Sequence, residues 1–377
     1  MINKTAEAHM QIITISSDPV DEFIINATAR EDSGPGEMLQ RVFDRLNETG
    51  AVPVAQRVFA GHDRDALRDV CGEVRWPVTW LTRDSNSAPP TTQVCAIRGA
   101  SVDHIERGGK PVASVFEKAS SRWCRIGEVV PQDGSLSAEE QARGTLEQIV
   151  SVLEEAGMEI DSLARTWFFL NDILSWYGPF NKVRNDFFTQ HGVFDGLIPA
   201  STGIGISNAD GRALAAEALV VECDSTEDRP RAVASPAQCA ATNYGSSFSR
   251  AVEVTDQNHR RVYISGTASL DSEGRTIRKE DFKGQLEVTL KAVEKILNSR
   301  DMDWGDTVRA ISYAPRPQDM PALEQKMKLL DLPVSLVPAV VCRDDLLFEL
   351  EMDAARDLSA EPTEKGQDVE SQAFSNL

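Results

Sequence analysis

The feature that most constrains the fold of this chain is an internal repeat. From about residue 260, two strands, a helix, a third strand, a second helix and two further strands follow one another, and the same order is found from about residue 121. The segment IDSLARTWFF at 160–169 matches WGDTVRAISY at 304–313. Such a repeat marks copies of one supersecondary unit, whose helices carry an apolar face that a sheet must bury. The sequence therefore predicts α+β domains of β-β-α-β-α-β-β order.

The first hundred residues have the pattern of a third, more divergent copy. DEFIINATAR at 21–30 is similar to RRVYISGTAS at 260–269, and WPVTWL at 76–81 is similar to LPVSLV at 332–337. The helix that precedes Gly50 is predicted to end there, in the left-handed conformation that glycine adopts without strain. The predicted domains are residues 9–110, 111–228 and 235–357, and the polar tail at 358–377 is expected to be disordered.

Charge and residue usage exclude several classes of protein. The formal net charge of −20 disfavours a general nucleic-acid partner, because phosphate backbones repel an acidic surface. No apolar run approaches the roughly 20 residues that a membrane span needs, so we expect no membrane partner and a cytoplasmic protein. The six cysteines and five histidines show no metal-binding spacing, so no metal and no cofactor is expected.

Three short motifs carry a resemblance to a known superfamily. FNKVRNDFF at 180–188, PASTGIG at 199–205 and the Glu-x-Glu element at 349–351 resemble the Rid/YjgF (endoribonuclease L-PSP-like) domain, although Arg184 stands where that family has tyrosine. CRDDLLFELE at 342–351 and GTAS at 266–269 are similar to the chorismatase branch. The resemblance implies three tandem domains of the chorismate mutase-like fold. It also implies that they form an intrachain pseudo-trimer, with ligand clefts between the domains.

The resemblance also implies an activity and two catalytic positions. Chorismatases remove pyruvate from chorismate, and the residue that matches their acid is Glu349. Cysteine at the position of Cys342 marks the branch that releases a hydroxybenzoate. There are two alternatives. Glu349 could be a structural residue, hydrogen-bonded across the barrel-like centre of such a trimer, and Cys342 could be simply a small buried residue.

The strand pattern, taken with the resemblance, gives a second reason to single out Glu349. If 340–354 is one long strand, side chains alternate, so Glu349 and Glu351 share one face and Leu350 and Met352 share the other. The apolar face should pack on helices, so the carboxylates face either solvent, as on a single open sheet, or the poorly solvated centre of the trimer-like assembly that the resemblance implies. Burial there should raise the pKa of Glu349 and allow it to act as a general acid, whereas Glu351 is expected to be structural.

The remaining candidates are substrate-binding residues. Arg343, Arg184 and Arg165 could each bind a substrate carboxylate bidentately, or could form surface or structural ion pairs instead. Small residues after two strands could contact a ligand, or could serve only tight turns and packing; they are Ser201, Thr202, Gly203, Gly266, Thr267 and Ala268. The expected partner is a small anionic metabolite. The working cleft is expected where the third copy meets another, with Arg184 supplied across the interface by the second copy.

Two other functions remain open. A Rid-type imine or enamine deaminase holds its substrate with an arginine directly after the Pro-Ala pair. Here that position is Ser201 in the second copy and Val340 in the third. An L-PSP-type endoribonuclease fits poorly with the acidic charge. The other alternative is a protein that binds a small metabolite without catalysis. In each case a single chain could contain the whole pseudo-trimer, so the protein could be a monomer.

Overall fold

The computed structural model describes residues 1–31, 33–82, 88–225, 228–256 and 258–359, so the predicted tail lies almost wholly outside the described residues. The first domain has two helices, α1 (Pro35–Thr49) and α2 (Asp65–Cys71). Its strands are β1 (Ile2–Glu7), β2 (Met10–Ser17), β3 (Val20–Thr28), β4 (Val52–Ala60), β5 (Val78–Thr82) and β6 (Thr91–Arg98). Helix α1 ends at Gly50 with φ +66°, as predicted.

The second domain repeats the pattern with longer helices, α3 (Ala138–Ala156) and α4 (Ile173–Gln190). Its strands are β7 (Asp103–Arg107), β8 (Lys110–Lys118), β9 (Ser121–Val129), β10 (Leu163–Leu170), β11 (Ala200–Gly205), β12 (Ser207–Asn208) and β13 (Leu214–Cys223). Helix α3 begins with a capping box, in which the Glu140 N–H donates to Ser137 Oγ and the Ser137 N–H donates to Glu140 Oε2. Strand β7 pairs with β8, so residues 103–107 join the second sheet, whereas the predicted boundary placed them in the first domain.

The third domain contains α5 (Phe282–Asn298) and α6 (Met320–Leu329). Its strands are β14 (Arg231–Val233), β15 (Ala251–Thr255), β16 (His259–Ala268), β17 (Thr307–Ala314), β18 (Val334–Pro338) and β19 (Glu349–Asp357). The three sheets have the orders β1-β2-β3-β6-β4-β5-β12, β11-β10-β13-β9-β8-β7 and β14-β15-β16-β19-β17-β18. The three tandem α+β domains predicted from the repeats are therefore present.

The central strands of each sheet are buried on both faces. One face packs on the helices of its own domain, as with Leu350 and Met352 in the third domain. The other face enters a shared core that takes residues from all three sheets, such as Phe59, Phe169 and Tyr313. The interfaces close in a ring, because β5 lies beside β9, β11 beside β16, and β18 beside β3. No helix among the described residues is long and apolar enough to cross a lipid bilayer.

The prediction of one strand over 340–354 was wrong. Val340 instead forms an isolated bridge with Gly205 at the end of β11, and the strand begins only at Glu349. Between them the chain turns, and this turn is held by Gln285 of α5, which bonds the Asp345 carbonyl and the Leu347 N–H, both at 2.8 Å. The segment therefore crosses from the second domain to the third instead of extending a sheet.

Candidate active site

A cleft lies between the second and third domains. It encloses about 520 Å3, counting the part open to solvent. The second domain contributes Tyr177, Arg184, Ser201 and Gly203. The third contributes Tyr244, Ser246, Phe248, Arg250, Gly266, Ala268, Leu270, Cys342, Arg343, Leu346 and Glu349. The cleft is thus assembled from separate domains, as pockets at domain interfaces commonly are.

Of the residues that the structure describes, Glu349 is the only carboxylic acid that lines this cleft. Its side chain is 4% exposed, and among the described residues nothing donates a hydrogen bond to it or forms an ion pair with it. Burial raises its pKa to about 8; the charge of Glu351 adds to the shift, and Arg165 opposes it. The carboxyl group is therefore protonated at neutral pH and can donate a proton. Gly266 leaves room for it, because a Cβ at that position would overlap Glu349 Oε1.

Glu351, two residues further along β19, has the opposite environment. Its carboxylate accepts hydrogen bonds from Arg57 at 3.3 Å, Arg165 at 3.2 Å and Arg309 at 2.8 Å, one arginine from each domain. Trp167 Nε1 donates a fourth bond at 3.0 Å. Burial alone would raise the pKa of Glu351, but these arginines lower it to about 2. The two glutamates therefore differ in charge at neutral pH, and Glu351 is a structural anion.

Three arginines of the cleft have no carboxylate partner among the described residues. Arg184 is 1% exposed; its Nη2 donates to Asn181 Oδ1 at 2.7 Å and its Nη1 to Ser201 Oγ at 3.5 Å. Arg250 is also buried and donates to the Cys239 carbonyl, and within the described part of the chain its Nη2 has no hydrogen-bond partner. Arg343 donates to the Gly274 carbonyl at 2.8 Å. Buried cations without counter-charges are costly, so the cleft is suited to an anionic ligand.

The side chain of Tyr244 joins two of these arginines. The guanidinium groups of Arg250 and Arg343 lie 5.5 and 5.4 Å from its ring centroid. Tyr244 also packs where a Cβ on Gly274 would collide with its ring, and Gly274 itself has φ +77°. These contacts hold the two guanidinium groups in place at the mouth of the cleft.

Cys342 forms part of the cleft wall. It is only partly exposed, and burial raises the pKa of its thiol to about 12, with a further contribution from Glu349. The thiol therefore remains protonated at neutral pH, so it is not suited to act as a nucleophile. Tyr177 lines the same cleft and lies close enough to lower that pKa slightly.

The structure brings most of the sequence-predicted residues to this cleft. Arg165, Thr202 and Thr267 are the exceptions. Arg165 points to the centre of the molecule, where it bonds Glu351 and Thr202 Oγ1. Thr202 Oγ1 also accepts the Gly266 N–H at 3.1 Å and so joins the two walls. The predicted substrate-binding residues in the cleft are Arg343, Arg184, Ser201, Gly203, Gly266 and Ala268.

Sequence reasoning missed the segment that covers the cleft. Tyr244, Ser246, Phe248 and Arg250 lie in the connection between β14 and β15 of the third domain, which has no periodic pattern. The cluster of an arginine with two aromatic residues in TNYGSSFSR was the available signal. Tyr177 on α4 also lines the cleft.

The equivalent interface between the first and second domains is filled differently. There the Glu128 N–H donates to Thr79 Oγ1 at 3.0 Å, as the Gly266 N–H donates to Thr202. Glu128 thus stands at the position of Gly266, and its buried side chain forms an ion pair with Arg64. At the interface of the first and second domains an ion pair therefore lies at the position where the interface of the second and third domains has a cleft.

Comparison with known proteins shows similarity at the level of the fold. No family model matches the sequence, and no curated protein matches it. A solved chorismatase is 20% identical, with 80% of this chain and 92% of that chain covered and a TM-score of 0.62. An L-PSP-type endoribonuclease-like protein from Entamoeba histolytica (17% identity, 34% of this chain, all of that one) has a TM-score of 0.30.

RidA from the Antarctic bacterium Psychrobacter sp. is 21% identical, with 33% of this chain and 98% of that chain covered and a TM-score of 0.28. The chorismatase matches most of this chain. The chain therefore has a chorismatase-like fold, as its sequence resemblance predicted.

Proposed function

We propose that this protein is a chorismatase-like enzyme that releases pyruvate from chorismate, with Glu349 as the general acid. One observation carries the proposal. A buried carboxyl group with a pKa of about 8 and no hydrogen-bond partner among the described residues faces a cleft lined by arginines without counter-charges. This combination supplies a proton donor and a binding site for a small anion in the same place.

The chemistry requires a proton on carbon. The enol ether of chorismate has a terminal methylene group, and the electron pair of its double bond takes the proton from Glu349. The methylene becomes a methyl group, the neighbouring carbon becomes oxocarbenium-like, and Glu349 becomes a carboxylate. Water or a neighbouring hydroxyl group of the substrate then attacks that carbon, and the proton that it loses returns to the Glu349 carboxylate. After attack by water, the proton of the new hydroxyl group passes to the ether oxygen as the ether bond breaks, and this step releases pyruvate. A carboxylic acid with a pKa near the operating pH suits this step.

The arginines of the cleft would bind the two carboxylates of chorismate. Arg184 is supplied by the second domain, and Arg250 and Arg343 by the third, so binding bridges the interface. Guanidinium groups bind carboxylates bidentately and would position the enol ether relative to Glu349. Because all three domains are in one chain, we propose that a monomer contains the complete cleft.

Cys342 bears on the product. Its protonated thiol lines the cleft together with Glu349. In the chorismatase branch that the sequence resembles, a cysteine at this position accompanies the release of a hydroxybenzoate. We therefore propose that the second product is a hydroxybenzoate. The product is identified by chromatography of the reaction mixture.

The test is pyruvate release from chorismate by the purified full chain. We expect turnover by the wild type and its loss in Glu349→Gln, which keeps the shape of the side chain and removes the acidic proton. Glu253→Gln is the matched control, because Glu253 is a buried glutamate of the same domain that bonds Arg300 outside the cleft. Absence of pyruvate with folded wild-type protein would overturn the proposal, and chorismate binding without turnover would indicate a metabolite-binding protein.

A further inference from the structure

Tyr313 is the cross-strand neighbour of the proposed acid. It lies on β17 directly opposite Glu349 on β19, and both side chains are on the face that enters the shared core. Directly opposed residues of antiparallel strands have Cβ atoms about 4.5–5.5 Å apart. The Tyr313 ring is fully buried, and its hydroxyl has no hydrogen-bond partner among the described residues. A buried hydroxyl without a hydrogen-bond partner costs free energy, so its presence calls for an explanation.

The other two domains show that packing does not require this hydroxyl. At the corresponding position β10 has Phe169, which is opposite Ala215, and β4 has Phe59, which is opposite Thr91. All three aromatic rings belong to the same shared core. A phenyl ring is therefore sufficient for the fold at this position. The hydroxyl occurs only in the domain that also has the carboxylic acid.

The charged groups around the pair leave the hydroxyl free to donate. Tyr313 is surrounded by Glu351, Arg57, Arg309 and Glu349. Glu349 is also faced by Arg165, by Cys342 and by Tyr177 across the cleft. All three arginines already donate to the Glu351 carboxylate. Burial raises the pKa of Tyr313 well above its usual value, so the phenol keeps its proton and acts as a donor.

We propose that Tyr313 is a positioning residue whose hydroxyl donates a hydrogen bond to the Glu349 carboxylate formed when the acid gives up its proton. The inference rests on the proposed function of Glu349. A hydroxyl bonds a carboxylate more strongly than it bonds a neutral carboxyl group. The contact therefore stabilises the state after proton transfer more than the resting state, and this difference lowers the barrier.

The first test measures Glu349 directly and needs no substrate. The carbonyl stretch of the protonated acid is followed by infrared spectroscopy against pH, with Glu349→Gln as the reference that identifies the band. We expect Tyr313→Phe to raise the pKa of Glu349 above its wild-type value, because the ionised form loses its donor. Tyr263→Phe is the matched control, since Tyr263 is a buried tyrosine of the shared core whose charged neighbours do not include Glu349.

The second test measures turnover. Loss of a hydrogen bond to a charged group should lower kcat of Tyr313→Phe by about tenfold to a hundredfold, and Tyr263→Phe should retain it. An unchanged pKa of Glu349 in Tyr313→Phe overturns the inference, whatever happens to kcat. If Tyr313→Phe raises the pKa of Glu349 but the wild type releases no pyruvate, the hydrogen bond is supported and the proposed function is overturned.

Discussion

Two glutamates on one face of one strand have opposite protonation states in this protein. Glu349 and Glu351 are both buried, so exposure does not distinguish them. The difference comes from their partners, because three arginines neutralise Glu351 and none bonds Glu349. The anion of Glu351 then adds to the cost of ionising Glu349. A pair of acids with separated pKa values is the arrangement from which general acids are built.

The raised pKa of Glu349 predicts a pH-dependent stability. As pH rises from 4.5 to about 8, the unfolded chain loses the proton of this group and the folded chain keeps it, so stability is lost across this window. Glu349→Gln does not titrate. We therefore expect Glu349→Gln to be more stable relative to the wild type at pH 8 than at pH 5. The measurement is the difference between their free energies of unfolding in urea, which should be larger in favour of the variant at pH 8. An equal difference at both pH values would contradict the raised pKa.

At the scale of the elements, the sequence predicted correctly the features that follow from a periodic pattern of apolar residues or from a local signal such as glycine. The strand and helix order, the C-cap at Gly50 and the inward side of Glu349 are all as expected, because alternation and helical spacing report directly on which face is buried. Residues 340–348 were predicted wrongly, although their apolar content is that of a strand. Their path is set by the bridge from Val340 to Gly205 and by Gln285, which are contacts between distant parts of the chain.

The same distinction explains the site. Arg184 and Glu349 are on regular elements and were found from the motifs that carry the resemblance. Arg250 follows an irregular connection, so no pattern revealed its place in the cleft. Arg165 matched the chemistry of a carboxylate ligand, but it bonds Glu351 instead. Residue type alone did not distinguish an arginine of the cleft from one of the central cluster.

The close approach of β16 to β19 predicts the effect of a single methyl group. In Gly266→Ala the new Cβ would overlap Glu349 Oε1, so the carboxyl group must move. Because a displacement of about 1 Å can cost on the order of a hundredfold in rate, we expect a loss of kcat of that size in pyruvate release. Gly144→Ala on α3 is the control, since a Cβ there meets nothing within 4 Å. Full activity of Gly266→Ala would contradict this placement of the acid.

At the scale of the whole molecule, one buried cluster joins all three domains. Arg57, Arg165 and Arg309 are balanced by Glu351, Glu217 and Asp353, so the cluster is neutral as a whole. Each arginine comes from a different sheet, and Glu351 contacts all three. The cluster therefore specifies how the sheets are arranged around the centre, and with it the distance between the two walls of the cleft. The assembly and the proposed acid thus depend on the same carboxylate.

Removing that carboxylate should destabilise the fold and alter the acid together. Glu351→Gln leaves one buried positive charge without a partner, which is expected to cost about 3–5 kcal/mol in the free energy of unfolding, measured with urea. It also removes the negative charge that raises the pKa of Glu349, so that pKa should fall. Glu324→Gln is the control, because its ion pair with Lys328 is exposed and its loss should change stability by less than about 1 kcal/mol. Equal effects of the two substitutions would show that the central cluster does not hold the domains together.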